Sequence, residues 1–192
     1  MGRVKTYDEA LRRRLIAEAA DVLAVEGPAG LTLRRVAAAA GTSTTAVYDL
    51  FGDKDQLLTA MYVEGFAQLG SSLRRARRGA PLEALGAMGM AYRRSALARP
   101  HLYALMFGRE APDAGAQEVA DSSYAPLVEG VQACLDDDSL QGGSAERIAS
   151  FLWSVSHGRV SLELAGLVEG TLKERTAAYQ DALVLSTVPF LA

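Results

Sequence analysis

Two sets of side chains have the types and spacing to do chemistry. In the first, Thr32, Thr44, Thr45, Tyr48 and Lys54 fall within LTLRRVAAAAGTSTTAVYDLFGDKDQLL, from Leu31 to Leu58. Hydroxyls, a phenol and an ammonium all donate hydrogen bonds. Small polar residues such as Thr44 and Thr45, at the start of a helix, reach base edges in the major groove of DNA. Groups near helix starts or on the flank, as Thr32, Tyr48 and Lys54 are, meet phosphates through side chains and free backbone N–H groups.

The second set is Met88, Tyr92, Tyr103, Met106, Phe107, Trp153 and His157. It is soft and aromatic with a few polar tips, which is the composition of a small-molecule pocket. The same types at helical spacing also fill ordinary cores, and a buried His157 would either bond a ligand or satisfy a backbone carbonyl.

No other chemistry competes. The chain has two histidines, His101 and His157, and one cysteine, Cys134. A single cysteine excludes an internal disulfide and a multi-cysteine zinc site. There is no HExxH, P-loop, GxGxxG context or Ser/His/Asp order, and Glu163 is not spaced from His157 as a catalytic pair. No catalytic residue, metal or cofactor is therefore expected, and Cys134 reads as an inert helix thiol.

Helices must position both sets. Asp8 to Glu26 carries Leu11, Leu15, Ile16, Ala19, Val22 and Leu23 on one stripe, and Gly27-Pro28 stops it. Thr32 N-caps a helix to about Ala40, and Gly41 supplies the left-handed turn that follows. Ser43 caps a third helix, Thr44 to Phe51. Gly52 breaks it, and Asp53 caps a long helix from Lys54 towards Arg78. Val36, Ala37, Val47 and Phe51 would form a small core with Leu15 and Leu33, and the alanines 37 to 40 permit close approach. Pro81 opens a helix to Ala98. Further helices are expected over His101–Phe107, Gln117–Leu135, from a Ser144 cap to Leu167, and over Leu172–Phe190, where Pro189 should fray the end. No segment alternates as a strand, and no repeat is present. The expected fold is all-α with about nine helices. An N-terminal three-helix helix-turn-helix domain over 1–54 precedes a helical domain over 55–192, which begins with the connecting helix 54–78.

Charge divides along the same line. Residues 1–78 hold 12 Lys+Arg and 9 Asp+Glu, and residues 79–192 hold 8 and 14, within a net charge of −3. A basic head on an acidic body suits a polyanion reader. Arg3 and Lys5 sit in a tail that could touch phosphate. Arg12 to Arg14, and Arg74, Arg75, Arg77 and Arg78, read as solvated helix surface. The N-terminus, MGRVKTYDEALRRR, is polar and charged, so no signal peptide is visible. No apolar run approaches the ~20 residues of a membrane span. A cytoplasmic location without a membrane partner is expected.

At these residues the chain resembles the TetR (tetracycline-repressor) family of bacterial transcriptional regulators. The likeness covers about residues 9 to 60, where AGTS and AVYDLFGDKDQLL put Gly41, Ser43, Val47-Tyr48, Phe51 and Lys54 in the family's register. The resemblance implies a DNA-binding head and a C-terminal domain for ligand binding and dimerisation. It assigns Thr32, Tyr48 and Lys54 to phosphate contact, and Arg34, Thr42, Ser43, Thr44 and Thr45 to the DNA-facing surface. After Tyr48 the family often carries basic, polar or aromatic residues, commonly Arg-His, and this chain has Asp49-Leu50. Asp49 would repel a phosphate, so it should meet a base amino group or face away. The threonines cannot read guanine with two bonds, which leaves Arg34 as the candidate for that contact.

In FLWSVSHGRVSLELAG, Trp153 and His157 are four apart and share a helix face. Gly158 within a helix costs about 1 kcal/mol against alanine, so close helix–helix contact is the expected return. Together with RPHLYALMFG, from Arg99 to Gly108, this segment resembles a Trp-His-Gly type of TetR C-terminal domain. The resemblance implies that the last two long helices form a four-helix homodimer interface. Ile148, Phe151, Leu152, Val155, Leu162, Leu183 and Val184 would supply its apolar face, and Gly158, Ala165 and Gly166 its close approach; the same residues also suit plain monomer core. Twofold pairing suits a palindromic operator.

The reading is thus a ligand-responsive, dimeric regulator that is not an enzyme. It would be a repressor released from a double-stranded DNA operator by a small hydrophobic or aromatic effector, with helix 54–78 as the lever. The alternatives are an all-α small-molecule binding protein or enzyme with a structural head, and a ligand-free architectural DNA binder.

Overall fold

The computed structural model describes residues 9–192; Arg3, Lys5 and the expected helix start at Asp8 lie outside them. Among the described residues the order is α1 (Glu9–Gly30), α2 (Leu33–Ala39), α3 (Thr44–Phe51), α4 (Lys54–Ala76), α5 (Pro81–Ala98), α6 (Pro100–Phe107), α7 (Ala114–Asp136), α8 (Ala145–Leu164) and α9 (Leu172–Thr187). A 3-10 turn, Val188–Phe190, carries Pro189 where fraying was expected. No strand occurs among these residues, only an isolated bridge between Leu140 and Leu191.

The caps follow from side-chain chemistry. Thr32 Oγ1 accepts from Arg35 N at 3.2 Å, Ser43 Oγ from Ala46 N at 3.1 Å and Asp53 Oδ1 from Gln56 N at 2.8 Å. Each satisfies a first-turn N–H that the helix cannot. Gly41 takes φ 62°, and Gly27, at φ 69°, breaks α1 ahead of Pro28. At α7 the cap is Asp113, whose Oδ1 accepts from Ala116 N at 2.8 Å, so that helix begins before the expected Gln117.

The chain clusters into two compact units. The first comprises the described residues up to Phe66 with Arg99–Gln117, the second Ala67–Ala98 with Glu118–Ala192. The packing therefore does not divide after residue 54. The first half of α4 belongs with α1 to α3, and α6 packs on α1. The physical reason is apolar burial: Leu57, Met61, Tyr62 and Phe66 of α4 and Leu102, Tyr103 and Met106 of α6 are all buried. Leu15, Leu33, Val36, Ala37, Val47 and Phe51 are buried in the same unit, as their spacing predicts. Burying a side chain the size of Val, Leu or Phe is worth about 1.5–3 kcal/mol.

The second unit has a core of Leu85 from α5, Val131 and Cys134 from α7, Leu140, and Ala145, Ile148, Ala149 and Leu152 from α8. Burial, with Asp137 nearby, pushes the Cys134 thiol up to about 11, so it stays protonated and unreactive.

Candidate functional site

Packing gives α3 two faces. Ala46, Val47 and Phe51 are buried, whereas Thr45, Tyr48 and Asp49 are exposed, Tyr48 by 54%. Asp49 therefore shares the outward face with Thr45 and Tyr48, rather than turning away from it. Thr42 and Thr44 are partly buried beside it, and Ser43 and Thr32 are exposed. Because the Ser43 and Thr32 hydroxyl oxygens accept backbone N–H groups, their O–H groups remain available to donate outward.

The two arginines of α2 differ. Arg35 is tied to Glu26 of α1 by a two-point ion pair, with Nε to Oε2 at 3.1 Å and Nη2 to Oε1. Arg34 is exposed and has no ion pair among the described residues. Lys54 is exposed at the start of α4, and its Nζ donates to the Pro28 carbonyl at 2.9 Å. The ammonium thus latches the start of α4 to the last turn of α1, past its Gly27 kink, and keeps two further N–H donors.

The aromatic set falls into two parts. In the first unit, Tyr103 meets Phe107 at a tilt and Phe107 meets Phe66 edge-on, at centroid distances of 4.7 and 5.2 Å, and Met106 lies over Gly65. In the second unit, Tyr92 Oη lies 3.0 Å from His157 Nδ1, and the Trp153 ring lies 5.5 Å from the His157 ring. Tyr124, which sequence reasoning did not single out, approaches Trp153 edge-on at 6.0 Å. Met88 is buried beside Gly130. Burial pushes His157 below the usual imidazole value, so at neutral pH the ring is uncharged and offers one donor and one acceptor. A cavity of about 660 Å³ opens elsewhere in this unit, with Arg77, Arg78, Val128, Glu129, Asp136 and Glu146 among its walls. Met88, Tyr92, Trp153 and His157 do not line it.

The expected interface set also divides. Ile148 and Leu152 are 0% and 6% exposed and belong to the unit's own core, so they are corrected from interface to core. Phe151, Leu162 and Val184 are 44%, 45% and 64% exposed. Ala165 and Gly166 are exposed, and Val155, Gly158 and Leu183 are partly so. An added Cβ at Gly158 would meet nothing within 4 Å among the described residues, so no close helix–helix contact forms there within the single chain.

Sequence reasoning missed the largest polar feature of the second unit. Arg93 of α5 grips Glu163 of α8 through Nε and Nη2, both at 2.7 Å, with side chains only 4% and 7% exposed. Arg175 of α9 adds a third bond, Nε to Glu163 Oε1 at 3.0 Å. The signal available was Arg93 itself, a cation set among apolar residues of α5.

A family model described as "Bacterial regulatory proteins, tetR family" matches residues 15–61, and one described as "Tetracyclin repressor-like, C-terminal domain" matches residues 85–186. An HTH-type transcriptional regulator of Mycobacterium tuberculosis is 28% identical over 116 residues, 58% of this chain and 50% of that protein. The chain thus spans about half the length of the curated relatives it matches. A protein of unknown function from Rhodococcus sp. RHA1 is 29% identical, with a TM-score of 0.79, over 96% of this chain and 100% of that one. A TetR family transcription regulator from Marinobacter aquaeolei VT8 shares the fold at 20% identity, with a TM-score of 0.71, over 96% of this chain and 97% of that chain. With one model on the capped α2–turn–α3 segment and the other over more than half the chain, the chain belongs to the TetR family of bacterial regulatory proteins.

Proposed function

We propose that this chain is a transcriptional repressor that binds a palindromic DNA operator as a homodimer and is released by a small hydrophobic or aromatic effector. The observation that carries the reading is the outward face of α3. Thr45, Tyr48 and Asp49 stand exposed on a helix whose other face is buried, and α2 adds Arg34, which is exposed and has no ion pair among the described residues. In this reading Thr44 and Thr45 meet base edges, Arg34 reads guanine, and Asp49 accepts from a cytosine amino group. Thr32, Tyr48 and Lys54 hold phosphates, while Thr42 and Ser43 line the same surface.

The second copy docks on α8 and α9. Phe151, Val155, Gly158 and Leu162 recur along one face of α8 at helical spacing, Ala165 caps its end, and Val184 adds α9. The effector enters beside Met88, Tyr92, Trp153 and His157, where an uncharged imidazole and a phenol supply polar tips in an aromatic wall. Effector and operator oppose each other through a coupling of about 1–3 kcal/mol, carried by α4, which is continuous from the head into the body. The protein acts in the cytoplasm and does no catalysis.

Selection of bound duplexes from a random pool tests the operator. The reading predicts an enriched palindrome whose half-sites repeat on one face of the duplex; recovery of no common sequence would sink it. Trp153 is the chain's one tryptophan, so its fluorescence reports the effector region directly. Hydrophobic aromatic compounds should change that emission and raise Tm. If none across a broad screen does either, the effector assignment fails.

A further inference from the structure

Few apolar groups attach α9 to its unit. Only Tyr179 and Ser186 of this helix are buried, while Ala177, Ala178, Val184 and Leu185 are exposed. Leu183 packs on Gly89 of α5, and the rest of the helix's attachment is polar and directional. Arg93 bonds Glu163 twice and donates through Nη1 to Thr176 Oγ1 of α9 at 3.0 Å. Arg175 bonds Glu163 and donates through Nη1 to the Gly170 carbonyl, in the turn before α9, at 2.7 Å. The Arg93 guanidinium lies 5.6 Å from the Tyr179 ring centroid, and the Tyr179 hydroxyl donates to the Gly89 carbonyl of α5 at 3.1 Å.

We propose that Arg93 and Glu163 are positioning residues for self-association: by fixing α9 against α5 and α8, they set the register of the exposed apolar residues of α8 and α9 on which a second copy of this chain docks. The inference rests on the homodimer reading above. The argument is one of register. Glu163 directly follows the exposed Leu162, and Arg175 and Thr176 directly precede the exposed Ala177. One residue is about 100° of helix rotation, so a turn of either helix that breaks the clamp also turns its apolar stripe. Apolar contacts are non-directional and tolerate such a slip, whereas a two-point guanidinium–carboxylate pair does not. A buried ion pair is a weak source of net stability and is best attested as a device that specifies register, which matches its place here.

Sedimentation equilibrium on the full chain tests this, with Val184→Glu as a direct interface variant and Val131→Ala as a control in the core cluster, which does not include the clamp residues. Wild type should be dimeric and Val184→Glu monomeric. Glu163→Gln and Arg93→Met should weaken self-association by roughly tenfold or more, and by more than Val131→Ala does at an equal loss of Tm. The double variant Arg93→Met/Glu163→Leu, which leaves no buried charge unpaired by its partner, should fold and still associate weakly. The proposal is overturned if these variants associate as tightly as wild type, or no more weakly than Val131→Ala. If wild type is itself monomeric and Val184→Glu changes nothing, the homodimer reading fails and this inference with it.

Discussion

The stability effect of Gly158→Ala should depend on protein concentration. Gly158 lies inside α8, and an added Cβ would meet nothing within 4 Å in the single chain. Replacing a helical glycine by alanine then gains about 0.8–1 kcal/mol with no overpacking to offset it. For a chain of this size that gain raises Tm by roughly 2–4 °C. In the proposed dimer the same methyl enters the seam between two copies of α8, where extra volume costs about 1–3 kcal/mol. The dimer dissociation constant should then rise by roughly fivefold or more. Melting curves across a wide dilution series, followed by circular dichroism, separate the two effects. Wild-type Tm should climb with concentration, as expected when association stabilises the folded form. The variant should melt higher than wild type at dilution, and that advantage should shrink as the protein is concentrated. A Tm raised equally at every concentration, with an unchanged dissociation constant, would refute the placement of Gly158 in the interface. Gly70→Ala is the contrast: its Cβ would lie 3.0 Å from the Ser123 Cα of α7, so it should destabilise at all concentrations.

Further outcomes follow from the same contacts. Glu163→Ala should destabilise more than Arg93→Met, because it strands the buried Arg93 cation, whereas Arg93→Met leaves Glu163 paired with Arg175. Breaking such a pair costs about 3–5 kcal/mol, and urea titrations giving the reverse order would contradict the geometry. Bonds and charge from Arg93, then Arg175, hold the Glu163 carboxyl below the usual carboxylate range. Its stabilisation is therefore complete above the unfolded value of about 4.3 and is lost as pH falls through the lower folded value. Glu163→Gln should flatten that acid limb of a urea-midpoint-against-pH plot, and a parallel limb would show that Glu163 does not contribute. Asp49→Asn removes an anion from the exposed face of α3. It should tighten binding to scrambled duplex by roughly two- to fivefold, as for an exposed charge, and narrow discrimination for the operator; fluorescence anisotropy showing no change on either duplex would exclude Asp49 from the interface.

Local chemistry was legible in the sequence where short-range rules decide. The caps at Thr32, Ser43 and Asp53 and the Gly41 turn sit where the residue types place them, because each depends on bonds within four residues. Side-chain alternatives across the fold were not legible. Apolar residues line α8 on several faces, so periodicity named Ile148 and Leu152 alongside Phe151 and Leu162 but could not say which would meet α5 and α7 and which would stay exposed. Arg93 and Glu163 are 70 positions apart, and no local pattern pairs them. The grouping of α6 with the head likewise follows from Met106 and Gly65, which meet only after folding. Lys54 illustrates both cases: its place at the start of α4 was readable, and its bond to Pro28 was not.

The most direct test of the account is the affinity of the purified chain for its selected operator against a scrambled duplex at about 150 mM salt, where exposed charges are largely screened. Wild type should prefer the operator by about a thousandfold or more. Thr45→Ala/Tyr48→Ala should lose most of that preference while keeping its helical signal and Tm. Equal affinity of wild type for both duplexes, or a preference that survives in the double variant, would contradict the assignment of the α3 face as the DNA reader.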